Sequence, residues 1–102
     1  MARQGKVIWT ETAKLEFKDT CDYWNRRNGS KAYSKILRKL IVSSVAQIIL
    51  FPKSGIPSAL EGVRFVVIKD YLLFYQEVGL DIILLSFWDG RQDPEKLGKR
   101  LS

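Results

Sequence analysis

The sequence contains no histidine, and Cys21 is its one cysteine in 102 residues. Without histidine there is no imidazole general base and no His/Cys cluster of the kind zinc uses, and one thiol cannot close an internal disulfide. Metal sites, cofactors and Ser-His-Asp chemistry are therefore not expected. Long hydrophobic runs are also missing: no stretch reaches the roughly 18 apolar residues that a membrane span needs. The opening "MARQGKVIWT" offers only "VIW" before polar residues resume, so no signal-peptide segment is expected and the reading is a cytoplasmic protein without a membrane partner. Proline is scarce at three residues, and Pro52 and Pro57 both fall in "FPKSGIPSALEG". Acidic residues are outnumbered, with 11 Asp and Glu against 17 Lys and Arg, a net charge of +6. That balance suits a polyanion such as nucleic acid or an acidic protein segment, and equally a solvated basic surface.

What is present is an ordinary globular composition, 46% hydrophobic and 27% charged, with neither repeats nor a linker that would divide the chain. A single domain over residues 1–102 is expected. "KVIWT" is β-branched and aromatic and reads as a strand. Ala13, Phe17, Cys21 and Trp24 then recur at helical spacing, with Thr10 or Thr12 available to cap the helix and Asn28-Gly29 to end it. Ser30 is expected to cap a second helix from Lys31 to about Leu50. Tyr33, Leu37, Leu40, Ile41, Ser44, Val45 and Ile48 form its apolar to small stripe, while Lys31, Lys35, Arg38 and Lys39 gather elsewhere on it. The Pro-Gly loop breaks this hairpin. "VRFVVI", "YLLFYQEV" and "DIILLSFW" follow as an antiparallel meander. The expected fold class is α+β, in the order β-α-α-β-β-β, with the helical hairpin packed on one face of a small, mainly antiparallel four-stranded sheet. Both alternating sets of "DIILLSFW" are apolar, so the second face is expected to be a groove, a docking surface, or a face covered by loops and the C-terminal tail.

Polar chemistry is left to residues that interrupt the apolar pattern: Lys53, Arg64, Tyr75, Glu77, Asp89 and Arg91. Lys53 lies in the Pro-Gly loop, where simple exposure competes with a role. Glu77 ends a strand and could pair with Lys69. Arg64 falls on the strand face opposite Val63, Phe65 and Val67 and requires a partner. Arg91 follows the last strand through Gly90. Neighbouring strands could bring both guanidinium groups to one end of the sheet, where their planar forks would suit a phosphate. Salt bridges to Asp70, Asp89 or Asp93 are the competing use.

The segments "VIWTETAKLEF", "DYW", "LFPKSG", "GVRFVVIKDYLLFYQEV" and "IILLSFWDGRQDP", in this order and spacing, resemble the RelE/ParE superfamily of bacterial toxins from type II toxin-antitoxin systems. The resemblance spans nearly the whole chain. Its RelE branch implies a metal-independent endoribonuclease, an mRNA interferase that cuts messenger RNA on the ribosome by promoting 2′-hydroxyl attack on the adjacent phosphate. On that expectation Arg64 and Arg91 clamp the phosphate, Lys53 or Glu77 accepts the proton, and Lys35, Arg38 and Lys39 join Arg64 and Arg91 in binding RNA. The branch's frequent "Y-R-L-x-Y" reads "YLLFY" here, which puts Leu72 at the arginine position, and the tail "QDPEKLGKRLS" has no tyrosine. The ParE branch implies instead a non-enzymatic inhibitor of DNA gyrase. A degenerate toxin that keeps only antitoxin binding is a third reading. Each implies a cognate antitoxin, usually acidic and partly disordered, that covers the toxin.

Overall fold

The computed structural model describes residues 5–91. Strand β1 (Val7–Trp9) leads into helix α1 (Glu11–Asn28), and helix α2 (Ala32–Leu50) returns beside it. A two-residue strand β2 (Ile56–Pro57) precedes the meander β3 (Val63–Ile68), β4 (Tyr71–Val78) and β5 (Asp81–Asp89). The sheet has the order β1-β5-β4-β3-β2, with β1 parallel to β5 and the other neighbours antiparallel. The α+β architecture and helical hairpin are as expected, and the sheet gains β2 as a fifth strand. Its two exposed side chains carry no alternating pattern, and Pro57, which cannot donate to a ladder, is tolerated because β2 is an edge.

Thr10 begins α1 as expected, its hydroxyl accepting the Ala13 N–H. The same residue ties the helix start to the sheet, because its N–H donates to the Leu84 carbonyl and its hydroxyl lies within 3.1 Å of the Leu84 and Leu85 carbonyls. Gly29, with φ 63°, ends α1 in the left-handed conformation that glycine adopts without a Cβ clash. The cap of α2 is Lys31 rather than Ser30. Ser30 accepts the Ala32 N–H from one position earlier.

Ala13, Phe17 and Cys21 of α1 and Leu37, Ile41 and Ile48 of α2 recur at helical spacing and are buried. They pack on one sheet face with Ile68, Tyr71, Leu73, Tyr75, Ile82, Leu84 and Phe87. Phe87 is central, with Phe17 edge-on at 5.3 Å and Tyr71 stacked at 4.8 Å. A second cluster of Val63, Phe74 and Trp88, with Leu60, Phe65, Leu72 and Leu85 against it, lies on the other face. Both alternating sets of β5 are thereby used. The helix-face alternation is carried past Leu85 by a register shift, which pairs Phe74 with Ser86 but Tyr75 with Leu84.

Candidate functional site

The meander's register decides which charged residues can meet. Arg64 pairs with Tyr75 near the end of β4, whereas Asp89, two residues before Arg91, pairs with Tyr71 at the start of β4. Four residues of strand, roughly 14 Å, separate those positions. Arg64 and Arg91 thus lie at opposite ends of the sheet, and the expected convergence of two guanidinium groups on one phosphate does not occur. The same register corrects a second pairing. Lys69 follows Ile68, which pairs with Tyr71, so it sits roughly 20 Å of strand from Glu77.

At one end, Arg64 is half-buried and donates from Nη1 to the Gly55 carbonyl at 2.9 Å. The partner that its strand position demanded is therefore a loop carbonyl. Tyr75, 1% exposed, accepts the Gly55 N–H and donates to the Pro52 carbonyl. Burial raises the Tyr75 phenol above its ordinary value, so it stays a neutral donor. Together Arg64 and Tyr75 pin residues 52–55 to the sheet. Gly55 fits only because it lacks a Cβ, which would overlap the Tyr75 hydroxyl and ring. The pinned loop brings Lys53 and Glu77, both exposed, to the rim of one shallow cleft of about 330 Å³ with Leu50 and Phe51. Three expected site residues, Lys53, Arg64 and Glu77, are thus at the same end of the sheet.

At the other end, Arg91 grips Asp89 with both arms: Nε and Nη2 donate to Oδ1 and Oδ2 at 3.0 and 2.8 Å. The Arg91 hydrogen bond is the main reason the Asp89 carboxyl falls below its ordinary value, and the same bond raises Arg91 further. Of the competing salt bridges, the one to Asp89 forms. Asp93 and the tail after it lie outside the described residues. Gly90 makes the turn possible by donating its N–H to the Asp70 carbonyl at 2.8 Å, where a Cβ would come within 2.9 Å of that oxygen. The adjoining cleft, about 440 Å³, is lined by Glu16, Asp19, Tyr23, Tyr71, Asp89 and Arg91 among others. It holds more negative than positive groups, a poor setting for RNA phosphate.

Glu16 was not singled out in the sequence. Its Oε1 accepts the Ser86 hydroxyl at 2.8 Å and the Phe87 N–H at 3.2 Å, on the edge of β5 beyond the reach of β1. The visible signal was Ser86, the polar break in "ILLSFW", but its partner is 70 residues away. Leu72 packs against the second-face cluster with Trp88 opposite it, so no cation projects from that position. Lys35 and Arg38 line a groove between the helices, and Arg38 covers the Phe17 ring at 5.2 Å. Lys39 is exposed on α2 outside that lining. Among the described residues no group of three or more His, Cys, Asp or Glu gathers as a metal site, and no helix is long and apolar enough to cross a membrane.

The fold is shared with a solved chain titled as part of a chromosomal ParDE toxin-antitoxin system from P. aeruginosa. The two superpose with a TM-score of 0.71 at 18% identity, over 86% of this chain and 98% of that one. This defines the class as a small helical-hairpin and sheet fold found in such systems. Residues 7–94 match the family described as ParE toxin of type II toxin-antitoxin system, parDE, and the chain belongs to that family. No curated protein matches the sequence.

Proposed function

We propose that this chain is a growth-arresting toxin that acts by protein contact on DNA gyrase and is restrained by a cognate antitoxin. The observation that carries this reading is the separation of Arg64 and Arg91, with each guanidinium already committed. Arg64 holds the Gly55 carbonyl and Arg91 the Asp89 carboxylate, at opposite ends of the sheet. Stabilising a phosphorane requires preorganised cations on one side of one phosphate. This arrangement lacks that convergence, and Leu72, where the RelE branch has an arginine, is apolar and packed in the second-face cluster. Membership of the ParE family supports the same side.

Ribosome-dependent cleavage of messenger RNA is the second reading, favoured by one arrangement: Lys53 and Glu77 share a cleft near Arg64. A general base and a cation are then at one end of the sheet, although Arg64 already serves the loop. Two assays on the purified chain separate the readings. Loss of gyrase supercoiling, with no codon-positioned cuts by primer extension in a cell-free translation reaction, is expected. Cuts with gyrase unaffected would overturn the proposal in favour of the ribonuclease. Inactivity in both assays would leave a module that only binds its antitoxin, and would overturn it too.

A further inference from the structure

The bend of the helical hairpin takes no part in either reading above. Its residues 23–33, "YWNRRNGSKAY", bring together three aromatic rings and three cations without a carboxylate. The rings form one cluster: Tyr23 stands edge-on to Trp24 at 5.1 Å, and Tyr33 in the first turn of α2 lies 4.8 Å from the same ring. Trp24 Nε1 donates to the Tyr71 hydroxyl at 2.8 Å and so anchors the cluster to the sheet. Arg27 lies over the Trp24 ring at 5.7 Å and donates from Nη1 to the Tyr23 hydroxyl at 3.2 Å. Both of these partners are neutral. Arg27 is therefore held in place with its charge uncompensated and most of its donors unspent, unlike Arg64 and Arg91. Neither Arg26 nor Arg27 joins an ion pair among the described residues, and the carboxylate that precedes them, Asp22, is held by Lys18 at 2.8 Å.

We infer that this bend binds single-stranded nucleic acid, with a base stacked on the Tyr23 ring and the adjoining phosphates on Arg26, Arg27 and Lys31. Sequence-tolerant single-strand sites combine a cationic track for the backbone with an open aromatic face for the bases. Tyr23 is 45% exposed, and the three cations are exposed beside it. Trp24 and Tyr33 are half-buried and support the site from behind. A guanidinium already ordered by Trp24 and Tyr23 loses little freedom on meeting a phosphate, and its planar fork matches the phosphate oxygens. Tyr23 also borders the acidic cleft at the Arg91 end, which repels phosphate and turns the strand towards the arginines. Farther along α2, Lys35 and Arg38 offer charge without a ring, because Arg38 covers Phe17, which is 8% exposed. A duplex fits less well, since its bases are already stacked on one another. An acidic peptide would meet the same cations but leave the Tyr23 ring unused.

Fluorescence anisotropy with labelled oligonucleotides of about ten nucleotides tests this on the full chain. The probes are an oligouridine RNA, an oligothymidine DNA and a DNA duplex of the same length, at about 50 mM salt. At least one single strand is expected to bind more tightly than the duplex, and the tighter of the two shows which sugar the site accepts. Tyr23→Ala should weaken that binding by about tenfold while circular dichroism shows the fold intact. An unfolded Tyr23→Ala would be replaced by Tyr23→Leu, which keeps the bulk without the ring and carries the same expectation. Arg26→Gln with Arg27→Gln should flatten the slope of log affinity against log salt by about 0.7 for each charge removed. Lys35→Gln with Arg38→Gln, which removes as much charge away from the ring cluster, should weaken binding less. Equal binding of the duplex, equal loss in the Lys35 and Arg38 double variant, no effect of removing the Tyr23 ring, displacement by polyglutamate as readily as by unlabelled oligonucleotide, or no binding of either single strand would each overturn the inference. None of these readouts uses toxicity or gyrase, so this inference and the proposed function can fail separately.

Discussion

The Tyr75 hydroxyl joins β4 to the Pro52–Gly55 loop, 20 or more residues earlier in the chain, and its replacement isolates that link. In Tyr75→Phe the ring still fills its place, but the buried Gly55 N–H loses its acceptor. A loss of about 1–3 kcal/mol is expected, the cost of an unsatisfied buried donor, read as a lower urea midpoint at unchanged slope. Arg64→Ala removes the companion bond to the Gly55 carbonyl and is expected to cost about 1 kcal/mol, read from the same midpoint shift. A catalytic Arg64 would instead show full stability with lost toxicity, so the thermal midpoint and toxicity measured together separate the two roles. Arg91 differs because its side chain is 64% exposed. Asp89 has a folded pKa below its unfolded value of about 3.9, so its pairing stabilises the fold above that pH and the contribution disappears as the pH falls through the folded value. Asp89→Asn is therefore expected to be less stable than the wild type at pH 7 and to approach it as the pH falls below about 3.9, in denaturation curves at low salt.

Strand β5 shows how an element's free edge is managed. β1 pairs only with Ile82–Leu84, and beyond the irregularity at Leu85 the Glu16 carboxylate takes the Phe87 N–H that a longer β1 would have taken. Glu16→Ala should cost about 1–3 kcal/mol and open the β5 edge to pairing between chains. The expected signs are a lower urea midpoint and more light scattering on mild heating, with Glu16→Gln, which keeps an acceptor oxygen, much less affected. Periods of 3.6 and 2 in the sequence were enough to read α1, α2 and the meander, because each buries a continuous stripe. β2 was not legible, since two exposed residues have no period, and neither was the irregularity at Leu85, since "IILLSF" is apolar in either register. The divergence of Arg64 and Arg91 was legible in principle. In a meander the start of the first strand lies by the end of the second, so an arginine at the start of β3 cannot neighbour one after the end of β5. The loop bonds of Arg64 and Tyr75 could not be read, because Pro52 and Gly55 reach them only through the folded sheet.

At the scale of the whole molecule, charge is the property that acts before any contact forms. A net charge of +6, with basic groups along the groove between the helices and acidic ones at the Arg91 end, gives the surface a direction as well as a sign. An acidic antitoxin approaching this toxin would be steered at long range, and the steering is screened over a Debye length of about 10 Å at 0.1 M salt and about 3 Å at 1 M. Apolar burial in such a complex would not be weakened by salt in this way. Salt should therefore act mainly on association: between about 50 mM and 500 mM sodium chloride the stopped-flow association rate is expected to fall by about tenfold or more, while the dissociation rate changes far less. If salt raised the dissociation rate instead and left association unchanged, the contacts would depend on short-range ion pairs, and the basic surface would have no part in bringing the partner in.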